Sequence, residues 1–271
     1  MSTRNKGTAL ITGASSGIGA VYADRLARRG YDLIIVARNH ERLDALAKRI
    51  TNDTGRSVEV LVADLSDKND LARVETAAKQ DASITILVNN AGVGSYAPLM
   101  DSDIDKMQEM ITLNISALTR LTYAVAPGLI TRGTGTIINI ASIVAIAPEL
   151  LNGVYGGSKA YVLSFSQSLQ HELSGKNIRI QAVLPGATAT AFWDTAGLPV
   201  SNLPKEIVMS ADDLVDAALA GLDLGELVTI PSLPDQVEWD KFEATRRSMA
   251  GRLSSTQPAL RYGITQKIHT V

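Results

Sequence analysis

Near the start of the chain, an apolar run leads into a glycine-rich loop, Thr8-Ala9-Leu10-Ile11-Thr12-Gly13-Ala14-Ser15-Ser16-Gly17-Ile18-Gly19. Apolar residues then recur every three or four positions over 17–29, which predicts an amphipathic helix. A strand, a glycine-rich loop and a helix in this order are typical of dinucleotide binding, whereas the glycines alone could form a plain turn. In such a loop Gly13 allows the tight turn, Gly17 lets the backbone approach a pyrophosphate, and Gly19 permits close helix packing. We therefore expect the positive end of this helix to face a diphosphate.

Further along the chain, short apolar runs keep alternating with amphipathic stretches such as 42–52. The runs are rich in Val and Ile and predict strands at Thr8–Thr12, Leu33–Ala37, Val58–Ala63, Ile84–Val88, Thr136–Ile140 and Ile178–Leu184, with Leu227–Ile230 as a candidate seventh. Because polarity does not alternate within them, these strands are expected to be buried on both faces of a parallel sheet. Right-handed crossovers then favour an α/β fold, a doubly wound, Rossmann-like sheet of about seven strands with helices on both faces.

The chain shows no internal repeat or long polar linker, so we predict a single domain over 1–271. The stretch 187–210 interrupts the alternation of strands and helices. It contains Thr, Pro, Gly and two aromatic residues, Phe192 and Trp193, and is interpreted as a mobile substrate loop. Beyond it we expect one more helix after Pro231, followed by a tail over 253–271 whose order the sequence leaves open.

Composition argues against several classes of function. The absence of cysteine excludes disulfides, thiolate zinc sites and a cysteine nucleophile, and the three histidines are too scattered to suggest a metal centre. A formal net charge of −2 gives no electrostatic case for nucleic acid or for an anionic membrane. Since no apolar run approaches the ~18 residues of a transmembrane helix, and the first residues do not read as a signal peptide, we expect a cytoplasmic protein.

The end of the second strand indicates which dinucleotide is bound. Enzymes that use NAD usually carry an acidic residue there, about 20 residues past the loop, for the ribose 2′-hydroxyl. Here the strand ends in Ala37-Arg38-Asn39, and the Arg38 guanidinium can pair with a 2′-phosphate, with Ser15 as an additional donor. Arg38 could instead be a solvated residue at a helix entry. The pattern favours NADP(H), with NAD(H) as the alternative.

Three motifs resemble those of the short-chain dehydrogenase/reductase family, over about residues 6–190. They are the T-G-x-x-x-G-x-G loop, Asn89-Asn90-Ala91-Gly92 after the fourth strand, and Y-x-x-x-K in Tyr155-Gly156-Gly157-Ser158-Lys159. The resemblance implies that Asp64 and Leu65 contact adenine, although Asp64 could equally cap a helix. It also implies that 185–190 holds the nicotinamide carboxamide, where the alternative is a Pro-Gly turn. The cofactor-binding residues expected in full are Gly13, Ser15, Ser16, Gly17, Ile18, Gly19, Arg38, Asp64, Leu65, Asn90, Ala91, Gly92, Tyr155, Lys159, Pro185, Gly186, Thr188 and Thr190.

Four residues are predicted to form the catalytic centre. Tyr155 and Lys159 lie four apart on a predicted helix and share a face, and Ser142 ends a strand that opens into the ligand crevice. A tyrosine with a pKa of about 10 is a poor proton donor at neutral pH, but a cation ~4 Å away is worth ~4 kcal/mol, so Lys159 is expected to lower that pKa by about three units. Ser142 would stabilise an oxyanion. Asn114 resembles the family asparagine that holds a water relay, although by itself it could be an ordinary helix residue.

These residues predict an NADP(H)-dependent oxidoreductase that transfers a hydride between nicotinamide and a carbonyl or secondary alcohol carbon, with Tyr155 as general acid/base. A non-catalytic NADP(H)-binding regulator is the alternative, since fold does not determine function. An epimerase or dehydratase belongs to larger members of the family. The resemblance implies a homo-oligomer, a dimer or tetramer. The substrate is expected to be uncharged or hydrophobic, because the candidate pocket residues are mostly apolar: Gly94, Ser95, Val144, Leu150, Leu151, Phe192 and Trp193.

Overall fold

A computed structural model describes residues 6–264 and places seven parallel strands in one sheet of order β3-β2-β1-β4-β5-β6-β7. The strands are β1 Thr8–Thr12, β2 Asp32–Ala37, β3 Val58–Val62, β4 Ile84–Asn89, β5 Gly135–Ile140, β6 Ile178–Val183 and β7 Val228–Thr229. The helices are α1 Gly17–Arg28, α2 His40–Thr54, α3 Lys68–Gln80, α4 Ile104–Ile111, α5 Leu118–Arg132, α6 Gly153–Glu172, α7 Phe192–Ala196, α8 Ala211–Leu224 and α9 Gln236–Ser248. The predicted fold class, a doubly wound α/β sheet, is confirmed.

Helices cover both faces of the sheet because successive strand residues point to opposite sides. On β1, Ala9 and Ile11 pack into one cluster with α1, α2 and α8, whereas Leu10 packs into the other with α3, α5 and α6. Burying a side chain the size of leucine contributes about 1.5–3 kcal/mol, so both helical layers are held firmly against the sheet.

Local caps decide where several elements begin and end. Helix α2 begins earlier than the apolar pattern predicts, at His40, because the Asn39 side chain accepts a hydrogen bond from the Arg42 backbone N–H at 2.9 Å. It ends at Gly55, whose φ of 69° suits a left-handed cap. The seventh strand is shorter than predicted. The stretch 187–210 is less irregular than expected, since it contains helix α7 and two short 3₁₀ turns.

The chain divides into two compact units, one ending at Ser232 and containing the sheet, the other beginning at Leu233 and containing α9. The expectation of a single domain over all 271 residues stays a prediction. Of the predicted tail, residues 265–271 lie outside the described part of the chain. Within residues 6–264, no helix combines the length and the apolar character needed to cross a membrane.

Candidate active site

A cavity of about 1210 Å³ opens along the carboxyl edge of the sheet, where the segments that follow the strands meet. The strand order reverses between β1 and β4, which is where ligands bind in sheets of this type. Most of the predicted site residues line this cavity: Gly13, Ser15, Ser16, Gly17, Ile18, Arg38, Asp64, Leu65, Asn90, Ala91, Gly92, Ser142, Tyr155, Lys159, Pro185, Gly186, Thr188 and Thr190. Gly19 and Asn114 are not among its lining residues.

The loop between β1 and α1 leaves backbone donors at the cavity. Gly13 and Gly17 have φ values of 66° and 55°, a left-handed conformation that favours glycine. Ser16, at the N-cap of α1, makes no side-chain hydrogen bond to the helix, and no acidic residue stands in the first turn. The first N–H groups of a helix need acceptors, and its positive end attracts anions. The loop therefore fits the diphosphate of a dinucleotide.

Asn90 holds this loop against the end of β4. Its side-chain amide donates to the backbone oxygens of Thr12 and Gly13 at 2.9 and 3.1 Å. The Thr12 hydroxyl in turn accepts from the backbone N–H of Asn90. A Cβ on Gly19 would lie 2.4 Å from the Gly13 oxygen, so only glycine fits there. Gly19 thus supports the loop by packing against Gly13, without itself lining the cavity.

Two arginines stand at the far end of the cavity, beyond β2. Arg38 is exposed, with its Nη1 3.8 Å from an Asp64 carboxylate oxygen, and Arg42 from the first turn of α2 also lines the cavity. The alternative role of Asp64 as a helix cap is wrong, because Asp67 caps α3. Asp64 instead accepts from the backbone N–H of Ser66 at 2.9 Å. This end of the cavity offers two cations for a ligand phosphate.

Ser142, Tyr155 and Lys159 come together at the opposite end of the lining. Ser142 follows β5, and its hydroxyl donates to the Pro185 carbonyl at 3.4 Å and accepts from the Val144 backbone N–H at 3.3 Å. The Lys159 ammonium donates to the Ile140 carbonyl at 2.9 Å and lies 5.8 Å from the centre of the Tyr155 ring. All three side chains are buried. The helix geometry expected from the Tyr-x-x-x-Lys spacing is present.

Burial, more than charge, sets the titration of this pair. Desolvation raises the pKa of Tyr155 to about 12, while the neighbouring Ser142 hydroxyl acts in the opposite direction. Burial also lowers the pKa of Lys159 to about 8. The expectation that Lys159 would bring the tyrosine close to neutrality is therefore not met. Tyr155 therefore holds its proton at neutral pH, as a weaker acid than a solvent-exposed tyrosine.

Asn114 lies in a six-residue π-helical segment, Thr112–Ala117, between α4 and α5. Its side chain is buried and exchanges two hydrogen bonds of 2.9 Å with the backbone of Val93. It also donates to the Ser158 hydroxyl at 3.0 Å, which ties the segment after β4 to helix α6. Such π segments occur frequently at functional sites. The water relay expected for Asn114 stays a prediction.

A family profile described as short chain dehydrogenase matches residues 7–198. The chain belongs to this family. A short-chain dehydrogenase from Sphingobium yanoikuyae, solved in complex with NADPH, is 50% identical with a TM-score of 0.90, over 93% of this chain and 98% of that one. A bulky-bulky ketone specific alcohol dehydrogenase from Comamonas testosteroni is 44% identical with a TM-score of 0.87, over 96% of this chain and 99% of that one.

A curated relative, the very-long-chain 3-oxoacyl-CoA reductase of Anas platyrhynchos, is 38% identical over 67% of this chain. The short-chain dehydrogenase described here spans 60% of that relative's length.

The apolar side of the cavity differs in detail from the pocket expected from the sequence. Of the predicted pocket residues, five line the cavity: Val144, Leu150, Leu151, Phe192 and Trp193. Gly94 lies against the Phe192 ring instead, and the Ser95 hydroxyl accepts from the Ala97 backbone N–H. Sequence reasoning missed Tyr96, Leu198, Leu203 and Ile207, which add to an apolar wall. It also missed Arg42. Predicting Asn39 as the N-cap of α2 would have put Arg42 in the first turn of that helix, close to Arg38.

Proposed function

We propose that this short-chain dehydrogenase is an NADP(H)-dependent oxidoreductase that interconverts a carbonyl compound and the corresponding secondary alcohol, with Tyr155 as general acid/base. The carrying observation is that the buried Ser142–Tyr155 pair and Lys159 line the same cavity as the glycine-rich loop. A regulator without catalytic activity would not require a buried serine, tyrosine and lysine together beside a cofactor loop.

When bound, NADPH supplies the hydride that reduces the carbonyl carbon. Tyr155, whose phenol is protonated at neutral pH, would donate that proton to the developing alkoxide. The Ser142 hydroxyl stabilises the oxyanion and orients the carbonyl. Lys159 holds the nicotinamide ribose, and the 185–190 segment positions the carboxamide. In the oxidative direction Tyr155 would accept the proton instead.

The preference for NADP(H) rests on Arg38 and Arg42 at the adenosine end of the cavity. A guanidinium pairs with a phosphate through charge-assisted hydrogen bonds. The NADPH bound to the Sphingobium relative is consistent with this choice.

Arg38→Asp is expected to weaken NADPH binding by about ten- to a hundredfold, the usual range for hydrogen bonds to charged groups, and to leave NADH binding nearly unchanged. The substitution removes the pair with the 2′-phosphate and adds repulsion. Dissociation constants for both nucleotides, from fluorescence titration, measure the effect. Lys48→Asp is a matched control, because Lys48 is exposed on α2 and is not among the cavity-lining residues. An unchanged ratio of NADPH to NADH affinity would contradict the role of Arg38.

The substrate is proposed to be an uncharged ketone with hydrophobic substituents. The wall beside Tyr155 is built from apolar side chains, among them Val144, Leu151 and Phe192. The bulky ketone named for the Comamonas relative points the same way, whereas the 3-oxoacyl-CoA named for the duck relative shares only the keto group on an acyl chain.

A panel of small ketones, diaryl ketones, 3-oxoacyl thioesters and sugars, assayed for NADPH consumption and alcohol product, tests this proposal. Reduction of the hydrophobic ketones by the wild type, and its loss in Tyr155→Phe, is the expected result. A protein that binds NADPH but consumes it with no carbonyl compound would overturn the proposed activity in favour of a regulator. A homo-oligomeric state and a cytoplasmic location stay predictions.

A further inference from the structure

The ring of Phe192 lies beside Tyr155, the proposed proton donor. Its centroid lies 5.6 Å from that of Tyr155, with the two planes tilted by 43°. Phe192 also packs against the buried cluster that contains Met107, Met110 and Val144. The side chain is half-buried and lines the cavity, so one part of the ring contacts protein and another part is available to a ligand.

Gly94 provides the space in which this ring sits. A Cβ atom on Gly94 would lie 2.2 Å from Phe192 Cζ and 2.8 Å from Cε2, far inside van der Waals contact. No left-handed φ is required at Gly94, so glycine is needed there for space alone. Two residues later, the Tyr96 backbone N–H donates to the Ala196 carbonyl at 2.9 Å. Helix α7 therefore rests on 94–96 at both of its ends.

Trp193, the neighbouring aromatic residue, has a different role. Its indole N–H donates to the Thr188 carbonyl at 2.9 Å, and its side chain is buried. Its ring meets Phe192 edge-on at 5.5 Å. Trp193 thus holds the loop that carries Phe192, and substituting it would disturb the loop as a whole.

We propose that Gly94 and Phe192 act as one unit that sets the size of the substituent accepted beside the reacting carbonyl. This inference rests on the proposed ketone reductase activity and names the residues that decide its substrate range. The missing side chain at 94 leaves room for the tip of the Phe192 ring beside Tyr155. From there the ring limits the space for one side of the ketone and packs against its apolar surface.

The test is a double-mutant cycle with Phe192→Ala, Gly94→Ala and the double variant. Phe192→Ala is expected to raise kcat/KM for benzophenone relative to acetone by about tenfold or more, the discrimination that a difference of a few carbon atoms commonly produces. Gly94→Ala is expected to lower kcat/KM for both ketones, because the added methyl group displaces the ring. In the Phe192→Ala background the same Gly94→Ala change should have almost no effect, because the atoms it meets are gone.

Two further measurements separate this inference from the proposed function and from misfolding. NADPH affinity should change little in all three variants, since neither residue lies at the phosphate loop, and a cooperative thermal transition in each variant shows that it folds. The affinity of benzophenone for the NADPH complex of Tyr155→Phe is measured by calorimetry, with and without Phe192→Ala. This comparison tests the size limit in the absence of turnover. An unchanged benzophenone-to-acetone ratio in Phe192→Ala, or additive effects of the two substitutions, would overturn the pairing. A wild type that reduces no ketone while the calorimetric effect persists would remove the proposed activity and retain the size limit.

Discussion

Tyr155→Phe is expected to reduce ketone turnover by about 10²–10⁴-fold, the usual contribution of general acid catalysis, with NADPH affinity nearly unchanged. The phenyl ring keeps its packing against Phe192 and the buried cluster around Met110. What disappears is the phenolic hydroxyl, the proposed proton donor at the cavity. The measurement is single-turnover reduction of a ketone, together with fluorescence titration of NADPH.

Tyr161→Phe is the matched control for this change. Tyr161 lies on the same helix, and its hydroxyl shares a 2.8 Å hydrogen bond with Thr119, so the substitution removes the same atom away from the cavity lining. It should keep near wild-type turnover. Should Tyr155→Phe retain more than about a tenth of the wild-type rate, against the range expected for a general acid, the proton donor is another group.

Lys159→Met is expected to impair both cofactor binding and turnover, which distinguishes it from Tyr155→Phe. Methionine keeps an unbranched apolar side chain in the buried position, but the ammonium that donates to Ile140 and lines the cavity is lost. The loss of hydrogen bonds to a charged group should weaken NADPH binding by about ten- to a hundredfold. Lys176→Met, at an exposed position after α6, is the control.

The pH dependence of NADPH binding gives a second measure of the same lysine. Because burial lowers the pKa of Lys159 to about 8, its positive charge is present at pH 7 and is lost as the pH rises through that value. Wild-type affinity for NADPH should therefore fall above pH 8, whereas Tyr155, with a pKa of about 12, stays protonated over the same range. In Lys159→Met this alkaline loss should be absent. Equal pH profiles for the two proteins would show that Lys159 does not hold the cofactor.

The sequence by itself was sufficient for the order of the strands and for placing Tyr155 and Lys159 on one helical face. Strands buried on both faces must be apolar along their whole length, so β1 to β6 could be predicted to within a residue or two at each end. The spacing of Tyr155 and Lys159 places both on one helical face whatever surrounds them. Likewise, the glycines of the first loop follow from local backbone geometry at Gly13 and Gly17.

Tertiary structure alone decided how those groups behave and what encloses them. The pKa of Tyr155 depends on how completely distant segments exclude water, which no local pattern encodes. Asn114 lies in a π-helical segment when it contacts Val93 and Ser158, and no local sequence pattern predicts that segment. The contact between Gly94 and Phe192 joins residues far apart in the chain, and a missing side chain at 94 has meaning only once the ring that fills the space is known. Burial and steric fit are properties of the packed molecule, because they depend on neighbours that only the folded chain brings together.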